Sequence, residues 1–398
     1  MKALPNNVYY IGVDDFKTDL FESQYIIPDG VSYNSYVIKD SKIAILDTVD
    51  EIGSNEWVEN LLTVLNDSVP DYLIVQHMEP DHSAMIKWVL DKWKSLKIVA
   101  TPKAIQMLPN FFEDIDIEGR TILIKDGDSL NLGKHNLTFC TAPMVHWPEV
   151  MMTVDTTDNI LYSADAFGKF GALQKCGFYG SDDKDWNCEA RRYYFNIVGK
   201  YGNQVKSVIS KLSKYSINGI RPLHGPLLEE NLQDYLSLYN TWCRYTPETN
   251  GVFIPVASIY GGTLKVASKL AEVLKSNGVS NVVISDLCRT DMSENVENAF
   301  KFSHLVLAAS SYDGDVFTPM SDFLHRLKVK GFSNRRIALI ENGSWAPCAA
   351  RIMRETLSKM KNIEIIEPQV TIWSKMKSSD IPNIENMATE LVSSQISN

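Results

Sequence analysis

The sequence has 398 residues, 44% of them apolar and 22% charged, the proportions of a water-soluble globular protein, and that length suits two domains better than one. Its net charge of -10 removes the basic footprint that nucleic acid needs, so no nucleic-acid partner is expected. No apolar run nears the roughly 20 residues of a membrane span, and the opening Met1-Lys-Ala-Leu-Pro-Asn has no signal character, so the expectation is a cytoplasmic protein with no membrane contact.

Taken in order, residues 8–13, 32–38 and 42–46 read as strands, the last ending at Asp47. A helix follows, with Trp57, Leu61, Leu62 and Leu65 on one face. The apolar run Tyr72-Leu-Ile-Val75 predicts a strand ending at His77, and a helical pattern runs from Ser83 to Trp93. Between them lies His77-Met78-Glu79-Pro80-Asp81-His82, four of whose six residues are common metal ligands. A strand-end loop on a rigid sheet is where sites are usually built. The bland alternative is an exposed polar turn in which Asp81 caps the helix.

The pattern repeats downstream: a strand at 97–100, a helix opening at Thr101-Pro102, a strand at 121–125 and a turn at Asp126-Gly127-Asp128. An alternating strand over 135–141 leads into Ala142-Pro-Met-Val-His146-Trp-Pro. Strands at 151–155 and 159–162 deliver Ser163-Ala-Asp165, residues 188–215 read as amphipathic helix, and Ile220-Arg-Pro-Leu-His224-Gly-Pro closes the set. Strands alternating with helices and hairpins, with ligand-type residues at strand ends, fit an αββα sandwich. Of the seven histidines, 77, 82, 146 and 224 fall at strand ends or loops; His135 has polar neighbours and is expected in solvent, and His304 and His325 at the surface or in packing. The six cysteines form no Cys-x-x-Cys pair, which excludes a zinc knuckle, a rubredoxin module and an iron–sulfur motif and points to reduced thiols.

A boundary near Arg244-Tyr-Thr-Pro-Glu-Thr-Asn-Gly251 divides the chain into 1–248 and 249–398. Beyond it, five strand–helix units follow over about 148 residues, the order of a flavodoxin-like doubly wound parallel sheet of five strands. The first strand–helix turn is Ser258-Ile259-Tyr260-Gly261-Gly262-Thr263, whose hydroxyls, glycines and helix N-terminus suit a phosphate cradle. It lacks the lysine of a P-loop and the Gly-x-Gly-x-x-Gly of a dinucleotide site. Two later strand ends, Ser310-Ser311-Tyr312-Asp313-Gly314-Asp315 and Asn342-Gly343-Ser344-Trp345-Ala-Pro347, sit where such a sheet holds its ligand.

His-x-Glu-x-Asp-His resembles the di-iron version of the metallo-β-lactamase motif found in flavodiiron proteins, with Glu79 where zinc hydrolases of this loop carry histidine. The resemblance extends over essentially the whole chain. It implies a metallo-β-lactamase-like domain followed by the flavodoxin-like one, with His77, Glu79 and His146 on one iron, Asp81, His82 and His224 on the other, and Asp165 bridging. It also implies FMN on the three loops of the second domain; Trp345 and Trp147 are candidate aromatic walls on their own chemistry, with packing the plainer reading. The implied activity is passage of electrons from FMN to iron and reduction of O2 to water, NO to nitrous oxide, or both, protecting an anaerobic or microaerophilic cell. The chain has no rubredoxin or flavin-reductase stretch, so the donor is expected to be a separate rubredoxin-like protein, a flavin reductase or a reduced cofactor. The implied assembly is a head-to-tail homodimer or a dimer of such dimers. Two departures stand out: Gly262 replaces the asparagine common in the family loop, and Asp315 adds charge where glycine is usual. The alternatives are a dizinc hydrolase with a flavodoxin-like appendage, and an electron carrier that kept only its flavin.

Overall fold

Residues 1–396 are described by a computed structural model, in which the chain sorts into two units, Met1–Asn240 and Thr241–Asn398. The first unit is built on two sheets. One has seven strands in the order Lys2–Leu4, Val8–Tyr10, Tyr36–Lys39, Ile43–Leu46, Tyr72–Ile74, Lys97–Ala100 and Thr121–Leu123. The other has five: Ser129–Asn131, Asn136–Thr141, Met151–Asp155, Ile160–Tyr162 and Gly219–Arg221. Val8, Tyr36, Leu46, Ile74 and Val99 of the first sheet share one apolar core with Leu137, Phe139, Met151 and Tyr162 of the second. Helices such as Ser54–Leu65 cover the outer faces, as the αββα expectation requires.

Local patterns misplaced several ends. The strand expected to reach His77 stops at Ile74, because its parallel partners Ile43–Leu46 and Lys97–Ala100 pair only that far. On Ser54–Leu65 the buried side chains are Trp57, Leu61, Val64 and Leu65; Leu62 is exposed. The helix expected over 83–93 is two pieces, Pro80–Ser83 and Ile86–Lys92. The helix expected over 188–215 is Trp186–Tyr193 and Gly202–Leu212, interrupted by a wide π turn at Tyr194–Val198. Such turns recur where helices pass functional sites.

The second unit carries a parallel sheet in the order Val282–Asp286, Thr249–Ala257, Phe302–Tyr312, Ser333–Asn342, Lys361–Ile365, which is the flavodoxin-like order 2-1-3-4-5. Two short strands escaped the sequence reading: Asp315–Val316 folds back on Phe302–Tyr312, and Val370–Ile372 adds to the far end of Ser333–Asn342. The helix Gly262–Ser276 buries Val266, Ala267, Leu270, Ala271 and Leu274 at helical spacing against the sheet and against Ile384, Met387 and Leu391 of Ile381–Ile396. Among the described residues no helix is long and apolar enough to cross a membrane.

His135 is not in solvent. It is 3% exposed, its Nδ1 lies 2.6 Å from Asp155 Oδ2, and its Nε2 lies 2.8 Å from the carbonyl of Asn6. The Asp155 hydrogen bond outweighs burial and lifts its pKa to about 9. A histidine whose pKa rises on folding stabilises the fold fully below its unfolded value of about 6.5, and that stabilisation fades as pH passes the folded value. The melting temperature of the unmodified protein should therefore exceed that of His135→Asn at pH 6, with the gap closing by pH 10. A gap that widens with pH would assign the pair no such role.

Candidate metal centre and flavin loops

The loop that carries the first four candidate ligands is held from below. Asp47, at the end of Ile43–Leu46 and in left-handed conformation (φ 53°), accepts the Gln76 N–H at 2.7 Å, the Gln76 side-chain amide at 2.8 Å and the His77 N–H at 3.3 Å. Burial pushes Asp47 up to about 6 against those bonds. Thr48 donates its hydroxyl to the His82 carbonyl at 2.8 Å, and Ser83 donates to that of Met78 at 2.9 Å. Pro80 opens the short helix, which suits proline because its first N–H groups need no partner. Asp81 lies inside that helix and does not cap it; Glu79 holds the cap position without a side-chain bond. The second sheet delivers the rest: His146 in the turn after Asn136–Thr141, Asp165 just past Ile160–Tyr162, and His224 just past Gly219–Arg221.

All seven candidates converge, and they converge as two triads with one carboxylate between. His77 Nε2 lies 3.2 Å from Glu79 Oε2 and 3.3 Å from His146 Nε2, and His146 Nε2 lies 2.9 Å from the same Glu79 oxygen. His82 Nε2 lies 3.0 Å from His224 Nε2 and 3.4 Å from Asp81 Oδ2, which is 3.3 Å from His224 Nε2. Asp165 turns Oδ2 to His146 at 3.0 Å and to His77 at 3.5 Å, and Oδ1 to His82 at 3.3 Å and to His224 at 3.8 Å. Both Asp81 oxygens and Asp165 Oδ1 are buried without a hydrogen-bond partner. Buried carboxylate oxygens facing imidazole nitrogens form the donor set of a cation site. Aromatic rings wall it: Phe21, Tyr33 and Tyr193 edge or tilt onto His224, and Trp147 stands edge-on to His77.

Electrostatics carry the same demand for positive charge. Burial opposes a proton on His77, yet Asp165, Glu149 and Glu79 raise its pKa well above the usual imidazole range. His146 reaches about 9 because Asp165 and Glu79 outweigh burial. Burial would raise Asp165, but His77, His146 and His82 hold it well below the usual carboxylate range. Protons on imidazoles balance the carboxylates here, and metal ions would balance them in the same place.

The second unit shows which flavin-loop candidates are free to act. Ser258, Ile259, Tyr260 and Gly261 form the bend before Gly262–Ser276, with Tyr260 fully exposed and Gly261 left-handed at φ 79°. Thr263 is buried and its hydroxyl lies 2.9 Å from that of Ser310, joining the first and second loops. The Ser311 hydroxyl accepts the N–H groups of Cys348 at 2.8 Å and Ala349 at 3.1 Å, at the start of the helix Ala349–Leu357. Asp313 and Gly314, both at positive φ, make the turn of a small hairpin that exposes Tyr312. Trp345 stands 86% exposed beyond Gly343 and Ser344.

Comparison with known proteins gives the same two-part plan. The family profile described as "ODP family beta lactamase" matches residues 31–225. The anaerobic nitric oxide reductase flavorubredoxin of Vibrio vulnificus is 26% identical over 345 residues, covering 85% of this chain and 69% of its own. Diflavin flavoprotein A 1 of Synechocystis is 31% identical over 315 residues, 77% of this chain and 53% of its own. In fold, the chain matches the rubredoxin oxygen:oxidoreductase of Desulfovibrio gigas at TM-score 0.92 and 21% identity, over 100% of this chain and 98% of that one. Over most of its length the chain is thus similar to flavorubredoxins and diflavin flavoproteins, and it has the fold of the flavodiiron family.

Two features lay beyond sequence reasoning. One is Glu149, which sits one residue past the His146-Trp-Pro run and under His77. The other is the segment after Val370–Ile372. The Asn342 amide donates to the Ser374 carbonyl at 3.0 Å and accepts the Ser374 N–H at 3.0 Å, with Ser374 at φ 66°. The Ser374 hydroxyl donates to that of Ser344 at 2.7 Å. A Cβ at position 262 would lie 2.7 Å from the Ser374 carbonyl oxygen, closer than any real contact. Glycine at 262 is therefore what lets this segment close on the bend at 258–263. Gly262→Asn should push Ser374 away at a cost of about 1–3 kcal/mol and weaken flavin retention, measured as flavin released on dialysis. Retention equal to or better than that of the unmodified protein would break the link.

Proposed function

We propose that the chain is an oxidoreductase holding FMN and two iron ions, which takes electrons from a separate donor and reduces O2 to water, NO to nitrous oxide, or both. The observation that carries the reading is Asp165, a single buried carboxylate with one oxygen facing each of two matched triads. In this proposal His77, Glu79 and His146 hold one iron, Asp81, His82 and His224 hold the other, and Asp165 spans them. The bend at 258–263, with Ser310 behind it, holds the phosphate of FMN; Tyr312 and Trp345 line its ring. Iron bound there would supply the redox change that zinc lacks, and FMN the electrons for it. The aromatic walls of Phe21, Tyr33, Tyr193 and Trp147 keep bulk water from the imidazoles, which suits a small gaseous substrate better than a hydrolysable one. The dizinc hydrolase is not favoured: Glu79 makes the ligand set harder than a histidine-rich one, and the second unit keeps its phosphate loop. The donor class is a rubredoxin-like protein, a flavin reductase or a reduced cofactor.

Protein from iron-replete cells should carry about two iron atoms per chain and release FMN, not FAD, on heating. Asp165→Ala should keep its FMN and its reducibility, while reoxidation by O2 or NO in anaerobic stopped-flow becomes slow. Reoxidation as fast as in the unmodified protein would remove Asp165 from the bridging role, and full zinc occupancy with hydrolytic activity would sink the whole reading.

The working unit in this proposal is a head-to-tail pair of chains, each FMN serving the partner's iron; isologous pairs are the commonest oligomers. A heterodimer tests it. One chain carries Asp165→Ala; the other carries Gly261→Asp, which puts a side chain and a negative charge at a left-handed position of the phosphate bend. Neither homodimer should turn over, and the purified heterodimer should. If the heterodimer holds FMN and iron yet stays inactive, electrons do not pass between chains.

A further inference from the structure

The two triads are chemically alike, each with two imidazoles and one carboxylate, yet their outer contacts differ. His77 turns Nε2 towards Glu79, His146 and Asp165, so its Nδ1 bears the proton and donates it to Glu149 Oε1 at 2.8 Å. The same oxygen accepts the Met78 N–H at 2.9 Å. Glu149 is wholly buried, its Oε2 has no hydrogen-bond partner, and its one ion-pair partner among the described residues is His77. On the other side, His224 gives Nδ1 to a neutral acceptor, the Ser32 carbonyl at 2.8 Å, and His82 Nδ1 is buried with no partner. One triad thus has a carboxylate hydrogen-bonded behind a ligand ring, and the other has only a backbone carbonyl there.

We infer that Glu149 is a positioning residue that makes the two metal positions unequal, so that the ion on His77, Glu79 and His146 binds more tightly and is the one more readily held as ferric. The physics is direct. A carboxylate behind an imidazole fixes its tautomer and raises its basicity. Here the charge sits where no water screens it, so it favours the more positive metal on its own side. Asp47 and Asp50 act on His82 only through space: neither bonds a ligand ring, Asp47 meeting the loop through neutral amide donors and Asp50 accepting the Ile52 N–H. The inference rests on the proposed metal reading and adds an order to it.

The test uses Glu149→Gln, whose amide oxygen can still accept the Met78 N–H while the charge is gone. Metal-free protein is titrated anaerobically with cobalt(II), and the iron-loaded protein is examined by Mössbauer spectroscopy in the diferrous state. In the unmodified chain the tight cobalt step should survive Asp81→Asn and be lost in Glu79→Gln. In Glu149→Gln that step should weaken by about 10–100-fold with the weaker step unmoved, and only one of the two ferrous signals should shift. A variant that weakens both steps alike, shifts both signals, or changes neither overturns the inference. So does an unmodified protein whose tight step responds to Asp81→Asn, a result that needs no folded Glu149 variant. Uptake of two ions with no preference between triads overturns this inference alone, whereas no uptake of metal overturns the metal reading with it.

Discussion

Three buried carboxylates and the half-buried Glu79 meet four buried imidazoles in the first unit, and their charge balance is the constraint on which the rest of that unit turns. Asp81, Asp165 and Glu149 lie out of solvent, and Glu79 half out of it, beside His77, His82, His146 and His224. Removing one partner from such a set costs about 3–5 kcal/mol, because the remaining charge is left dry. The arrangement is stable only with compensating positive charge inside it. Protons on the imidazoles supply that charge in the raised pKa values of His77 and His146, and metal ions would supply it in the same geometry.

Holding those groups within reach of one another is the work of strand ends. The first sheet ends in the loop clamped by Asp47 and Thr48, and the second sheet ends in three separate turns. The turn at Asp165 depends on tight backbone. Ala164 and Phe167 both take positive φ, Gly168 donates its N–H to the Asp165 carbonyl at 3.0 Å, and a Cβ on Gly168 would lie 2.9 Å from that same oxygen. Strain of this kind persists when surrounding packing over-determines it, and it gathers at sites. The π turn at Tyr194–Val198 follows directly on Tyr193, whose ring tilts onto His224. The interruption of that helix and the wall of the metal centre are one feature.

The second unit shows a different constraint, the close packing of backbone around the bend at 258–263. Its bend needs Gly261 in left-handed conformation and Gly262 without a side chain, for separate reasons. Gly261 meets open space and is needed for its φ, whereas Gly262 meets the Ser374 carbonyl and is needed for its size. The Asn342 side chain, spent on Ser374, ties the end of the fourth strand to the segment beyond Val370–Ile372. The loops that would line a flavin are thus braced by contacts among themselves.

By itself the sequence determined the kinds of residue at the centre, the two-part order of the chain, the parallel sheet of the second unit and the bend at 258–263. Those features are written in short-range signals: ligand-type residues crowded into six positions, apolar periods of two and 3.6, glycines between hydroxyls. Tertiary structure decided what depends on distant partners. The end of Tyr72–Ile74 was set by its neighbours' ladders, and His135 left solvent because Asp155 and Asn6 close on its two nitrogens. That Asp165 faces two triads, that Glu149 stands behind only one of them, and that Ser374 fills the space Gly262 leaves all arise between residues 19 to 112 positions apart. Hydrogen bonds and charge pairs of that span have no period and no local composition, so only the folded chain could show them.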